Sequence, residues 1–174
     1  MNGGRARFAP AVAILAALAI ASTGAACDPV HDDAQASLGG ETNGDHPGPT
    51  HRPGEPCLVC HDGKVGDPRA FAVAGTVFED PSGRVGLSGV EVTLKDSAGA
   101  VFTTTTNRAG NFYVNAGAFT PIYPMRTTLS YGGQTAQMRS LVGRDGSCAG
   151  CHTDPSGPAS PGHVYFHELD GGTP

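Results

Sequence analysis

The chain has no tryptophan, only 16 % charged residues and, beyond its N-terminal segment, no apolar run long enough to cross a membrane. A shortage of charged helix formers alongside 26 Gly and 14 Pro argues against four-helix or globin-like packing and for a loop-rich β protein. Basic stretches are missing as well. Only Arg5 and Arg7 precede residue 27, so the remainder carries 9 basic against 16 acidic residues, a net charge of −7. Nothing in that distribution recommends nucleic acid as a partner, whereas an acidic surface suits docking to a basic protein. The strand and helix alternation of a thioredoxin fold is also absent. Setting aside a leader and a polar stretch leaves room for one domain of about 110 to 120 residues.

What the chain does hold is five cysteines, four of them in two copies of one motif. Cys57-Leu58-Val59-Cys60-His61 recurs 91 positions later as Cys148-Ala149-Gly150-Cys151-His152. C-x-x-C-H is the spacing of a c-type haem attachment site. Two cysteines a short, fixed distance apart can form thioethers to the two haem vinyl groups, and a His directly after the second can swing under the iron as proximal ligand. Two C-x-x-C knuckles can instead build a Cys₄ zinc site, and a single one can serve dithiol redox chemistry. Neither alternative requires a His after both knuckles. With 7 His in 174 residues, composition alone would place both with a chance of about one in six hundred. The expectation is two covalently bound haem c groups, one on Cys57 and Cys60 with His61 proximal, the other on Cys148 and Cys151 with His152 proximal.

Residues 1–26 read as an export signal: Arg5 and Arg7, the apolar run from Phe8 to Ala21, then small residues up to Cys27. An uncleaved membrane anchor is the alternative. Export would suit haem attachment, which belongs outside the cytoplasm. Cys27, the fifth cysteine, stands where a bacterial lipoprotein carries its lipidated first residue, and this junction resembles such a signal, with Gly24 where Leu is usual. Gly24 and Ala26 also satisfy an ordinary signal peptidase, which would leave Cys27 as a free thiol. Lipidation is the expectation, because a free thiol beside two attachment sites is a liability during maturation. Residues 27–54 are polar and read as a disordered tether. Residues 55–69 then form the first haem-binding segment and residues 143–174 the second, with its tail.

Between them, residues 70–142 alternate in strand fashion. Candidate strands fall at 71–79, 90–95, 101–106, 112–115, 125–131 and 134–142, with turns at Asp80-Pro81-Ser82-Gly83, Ser97-Ala98-Gly99, 107–110 and Gly132-Gly133. An even number of crossings returns the chain to its starting pole. Six strands therefore bring Cys57 and Cys148 to the same end, while a seventh, in 116–123, would separate them.

Within this region Ala74-Gly75-Thr76-Val77, Leu87-Ser88-Gly89-Val90-Glu91-Val92-Thr93-Leu94 and Thr106-Asn107-Arg108-Ala109-Gly110-Asn111-Phe112 resemble the carboxypeptidase regulatory-like, or transthyretin-like, β-sandwich. The resemblance covers residues 70–142 and implies an all-β, seven-strand Greek-key sandwich with no catalytic residues of its own.

The functional expectation is an exported dihaem cytochrome c, periplasmic or at the outer membrane or cell surface and lipid-anchored at Cys27. It would carry electrons to and from other redox proteins or copies of itself, and would not be an enzyme. A zinc-binding module and a small haem peroxidase are the alternatives. Distal iron ligands are sought in His51, six residues before Cys57, and in His163 or His167 after the second motif. Met138 is the competing thioether, because Met125 lies within a strand.

Overall fold

The computed structural model describes residues 29–40, 48–63 and 69–166. The expected export signal, Cys27 and His167 lie outside them. Six strands form among the described residues: β1 (Phe71–Thr76), β2 (Glu91–Lys95), β3 (Val101–Thr105), β4 (Asn111–Asn115), β5 (Arg126–Tyr131) and β6 (Gln134–Gln137). They make two antiparallel sheets, β1-β4 and β3-β2-β5-β6, packed as an all-β Greek-key sandwich. The alternation of apolar residues explains the layering. β2 buries Val92 and Leu94 and exposes Glu91 and Lys95. Val73, Val77, Phe112, Val114 and Met125 close the core from the other elements. Each such side chain contributes about 1.5 to 3 kcal/mol by leaving water.

The turns are made by local side chains. Asp96 ends β2 and receives the Ala100 N–H on Oδ1 (2.8 Å) and the Ile122 N–H on Oδ2 (3.1 Å), tying the β2–β3 hairpin to the loop before β5. Gly99 supplies the left-handed φ of 89° that this turn requires. Asn107 accepts the Ala109 and Asn111 N–H groups and so shapes the connection into β4.

Six strands form as counted, with none in 116–123. Two differences from the sequence reading are structural. β6 stops at Gln137, and Val142 contributes only an isolated bridge to Met125. Residues 27–54 were expected to be a disordered tether, yet they contain a helix, α1 (Pro29–Ser37), and a loop bound to the sandwich. The cause is polar. The Arg52 guanidinium donates to the carbonyls of Leu38, Gly39 and Gly40 just beyond the helix C-terminus. Asn111 Nδ2 donates to His51 O (2.8 Å), and Asn107 Nδ2 donates to Pro49 O. A segment with almost no apolar surface is thus ordered by hydrogen bonds from distant side chains.

Among the described residues the outer edge of β1 and its continuation is bridged in parallel at Ala74↔Ser147 and, two residues past the strand's end, at Phe78↔Tyr165. The second Cys-His motif lies in the stretch between them.

Backbone N–H groups hold the Asp96 carboxyl below the usual aspartate range, the Ile122 bond first, opposed by burial and joined by smaller contributions from Ala100, Ala98 and Gly99. A depressed pKa means that this stabilisation is complete above about pH 4 and is lost as the pH falls through the lowered value. Asp96→Asn should lower the melting temperature at neutral pH by a few degrees. It should also flatten the loss of stability between pH 4 and pH 2, as read by circular dichroism.

Candidate functional site

Both Cys-His motifs adopt one backbone turn. Cys57–Val59 and Cys148–Gly150 are single 3₁₀ turns. In the first, Val59 N–H donates to Pro56 O, and the Cys60 and His61 N–H groups both donate to Cys57 O (3.2 and 2.9 Å). In the second, Gly150 N–H donates to Ser147 O, and the Cys151 and His152 N–H groups donate to Cys148 O (3.1 and 2.9 Å). A 3₁₀ turn eclipses side chains three apart, so each cysteine pair shares one side of its turn. Neither pair forms a disulfide.

The histidines are held alike. His61 Nδ1 lies 3.2 Å from Arg69 O, and His152 Nδ1 lies 3.0 Å from Gly162 O. A carbonyl only accepts, so Nδ1 carries the proton in each ring and the lone pair falls on Nε2, the tautomer that a metal ligand needs. His61 is buried, 6 % exposed. Its ring stacks on Phe71 (4.4 Å between centroids, 27°), and Phe71 stacks in turn on Tyr113 (4.7 Å, 17°). Phe71 N–H also donates to His61 O (2.8 Å), so β1 fixes both the backbone and the plane of the imidazole.

The two turns flank β1 and meet each other. Gly54 N–H donates to Thr76 Oγ1 (2.8 Å), which in turn donates to Asn111 Oδ1, seating the first segment on β1 and β4. On the other turn, Cys148 packs against the core beside Gly75, where a Cβ would come within 2.7 Å of its Cβ and Sγ. A groove of about 330 Å³ runs between the turns, lined by Pro56, Leu58 and Val59 on one side and Asp145, Ser147 and Gly150 on the other.

Burial, reinforced by negative charge at Cys57, Asp145 and Cys151, pushes the Cys148 thiol up to about 12. Burial raises Cys57 too. Thiols held in this way are poor thiolates, which disfavours dithiol redox chemistry. Among the described residues no three His, Cys, Asp or Glu side chains are grouped so as to hold a metal ion. Paired same-side cysteines, each followed by a His of the ligand tautomer, fit two covalently held haems.

The distal candidates are placed unequally. The His51 and His61 rings are stacked, with centroids 5.9 Å apart and planes 14° from parallel, so His51 is the distal candidate placed beside a motif histidine. His51 Nδ1, however, accepts the Gly48 N–H (3.1 Å), which puts its proton on Nε2, so ligation there requires that bond to be given up. His163 packs edge-on to Phe78 (4.9 Å), and a Cβ at Gly83 would fall 2.5 Å from its Nε2. Met125 is in the core, and Met138 follows β6 at an edge of the four-stranded sheet.

The sequence reading had passed over the carbonyls of Arg69 and Gly162, the Phe71–Tyr113 stack and the role of Gly75. Of these only Gly75 left a trace, as a glycine inside a strand, which often marks a close approach. No protein-family model, curated protein or solved structure matches this chain.

Gly75→Val should drive the second turn off β1. In the cofactor-free chain we expect the melting temperature to fall, with overpacking costing about 1 to 3 kcal/mol. Alkylation of Cys148, followed by mass spectrometry, should accelerate at least tenfold. An unchanged alkylation rate would show that Gly75 does not seat this cysteine.

Proposed function

We propose that this protein is a dihaem c-type cytochrome that carries electrons by outer-sphere transfer. The observation that carries the reading is the repetition of one arrangement: a C-x-x-C turn followed by a His whose Nδ1 faces a backbone carbonyl, formed twice beside β1. Covalently attached haem supplies an iron that cycles between Fe(III) and Fe(II). The protein's part is to hold, orient and shield. Cys57, Cys60, Cys148 and Cys151 hold the groups in place, while His61 and His152 offer Nε2. The Arg69 and Gly162 carbonyls fix those tautomers and raise ligand basicity. The juxtaposed turns would keep the two haems within one molecule's short reach of each other, so that electrons pass between them before leaving. The chain acts as a carrier between redox proteins or copies of itself, not as an enzyme. Its sandwich belongs, on this reading, with carboxypeptidase regulatory-like modules. Exported and lipidated at Cys27, it would work at a membrane surface.

The test is intact mass after export in a host able to attach haem. Wild type should exceed the polypeptide by two haem units, and Cys57→Ser and Cys148→Ser should each perturb one attachment. Reduction by dithionite should bring up sharp α and β bands. A mass equal to the bare chain, with zinc bound, would establish the zinc-binding alternative instead.

His51 is the favoured distal ligand of the first haem, and His163 or His167 of the second. The near-infrared charge-transfer band of the oxidised protein should then be of the bis-His type and should change in His51→Ala. One of His163→Ala and His167→Ala should change it as well. A His/Met band in wild type, or three variants without effect, would reassign the distal position to Met138 or to a neighbouring molecule.

A further inference from the structure

The outer face of the four-stranded sheet is laid out by strand register. Because β2 turns Val92 and Leu94 inward, Thr93 and Lys95 face out. Thr93 stands opposite Thr103 of β3 and Thr128 of β5, and Thr128 stands opposite Gln137 of β6. A row of hydroxyl and amide groups therefore crosses all four strands at spacings of about 4.8 Å. In the next row Lys95 stands directly opposite Arg126 on the two central strands.

Like charges directly opposite each other on neighbouring strands repel. Neither cation has an ion-pair partner among the described residues. Asp96 borders the same depression, but its two carboxylate oxygens accept the Ala100 and Ile122 N–H groups, and the residue is buried. Glu91 lies four residues back along β2, about 13 Å away, beyond the threonine row. The depression holds about 490 Å³ and is walled by Ser97, Pro124 and Leu141, with Lys95, Arg126, Thr93 and Thr128 on its floor. In a chain of net charge −7, two adjacent cations beside the one buried carboxylate of Asp96 still leave this concavity net positive, which favours an anion.

We propose that this face binds an oxyanion, a carboxylate or phosphate borne by a small polyhydroxylated molecule such as a sugar acid or sugar phosphate. Arg126 presents a planar fork matched to two oxygens, and Lys95 adds a point charge. The Thr93 and Thr128 hydroxyls serve the polar body of the ligand. Val101 (58 % exposed) and Leu141 (47 %) offer apolar cover at the rim. The site lies on the sheet opposite β1, with the core between, so it stands apart from the Cys-His turns and does not rest on what they hold.

The experiment is a titration of the full, exported protein, at constant ionic strength, with inorganic phosphate, glucuronate and glucose, followed by amide chemical shifts on β2 and β5. We expect saturable binding of at least one anion and none of glucose. Saturation by glucuronate alone identifies a carboxylate ligand, and saturation by phosphate alone a phosphate one. Lys95→Gln and Arg126→Gln should each weaken binding at least tenfold. Removing one of two repelling charges should leave both variants as stable as wild type, which thermal melts will check. The bound anion should raise the melting temperature of wild type and not that of the double variant. No saturable binding of either anion, glucose binding as well as glucuronate, or equal binding by wild type and variants would overturn the proposal.

Discussion

Strand β1 must satisfy neighbours on every side, and the cysteine-bearing segments are among them. Its Val73, with Val77 just past its end, belongs to the core. One edge is hydrogen-bonded to β4, and the other is bridged at Ala74 by Ser147. Phe71 and Thr76 at its two ends seat the first Cys-His segment, through the ring on His61 and the hydroxyl at Gly54. Gly75 between them makes room for Cys148. Loss of β1 would remove the sandwich and the site together, so any function of the cysteines is coupled to the stability of the fold.

β2 and β3 were legible because period-two burial is written into them, and the turns because Asp96-Ser97-Ala98-Gly99 and Thr106-Asn107-Arg108-Ala109-Gly110 carry their own hydrogen-bond chemistry. The juxtaposition of Cys57 with Cys148 followed from counting six crossings. The order of residues 29–40 was not legible, since it depends on Arg52 reaching carbonyls 12 to 14 positions away and not on burial. Nor were the carbonyl partners of His61 and His152, because a backbone oxygen has no residue identity to read. The early end of β6 was hidden too: no glycine or proline in Met138 to Val142 marks the stop, and past Gln137 the chain returns only through the Met138 N–H on Thr127 O and the Val142 bridge to Met125.

The two turns share a hydrogen-bond pattern but not an environment. His61 is buried under Phe71, whereas His152 is half-buried and Cys151 is exposed. On the dihaem reading this difference in solvation, with axial ligation, is the source of unequal reduction potentials. One local structure repeated at two depths would give an electron a preferred resting place within the molecule.

The parallel bridges at Ser147 and Tyr165 advance four residues, from Ala74 in β1 to Phe78 beyond it, while the other chain segment consumes eighteen. The chain between them is therefore an excursion whose two feet are fixed. The entropy of closing such a loop depends only weakly on its length. Its first turn is pinned where Cys148 fills the space beside Gly75, so only the stretch after His152 could lengthen or shorten without redesigning the sandwich.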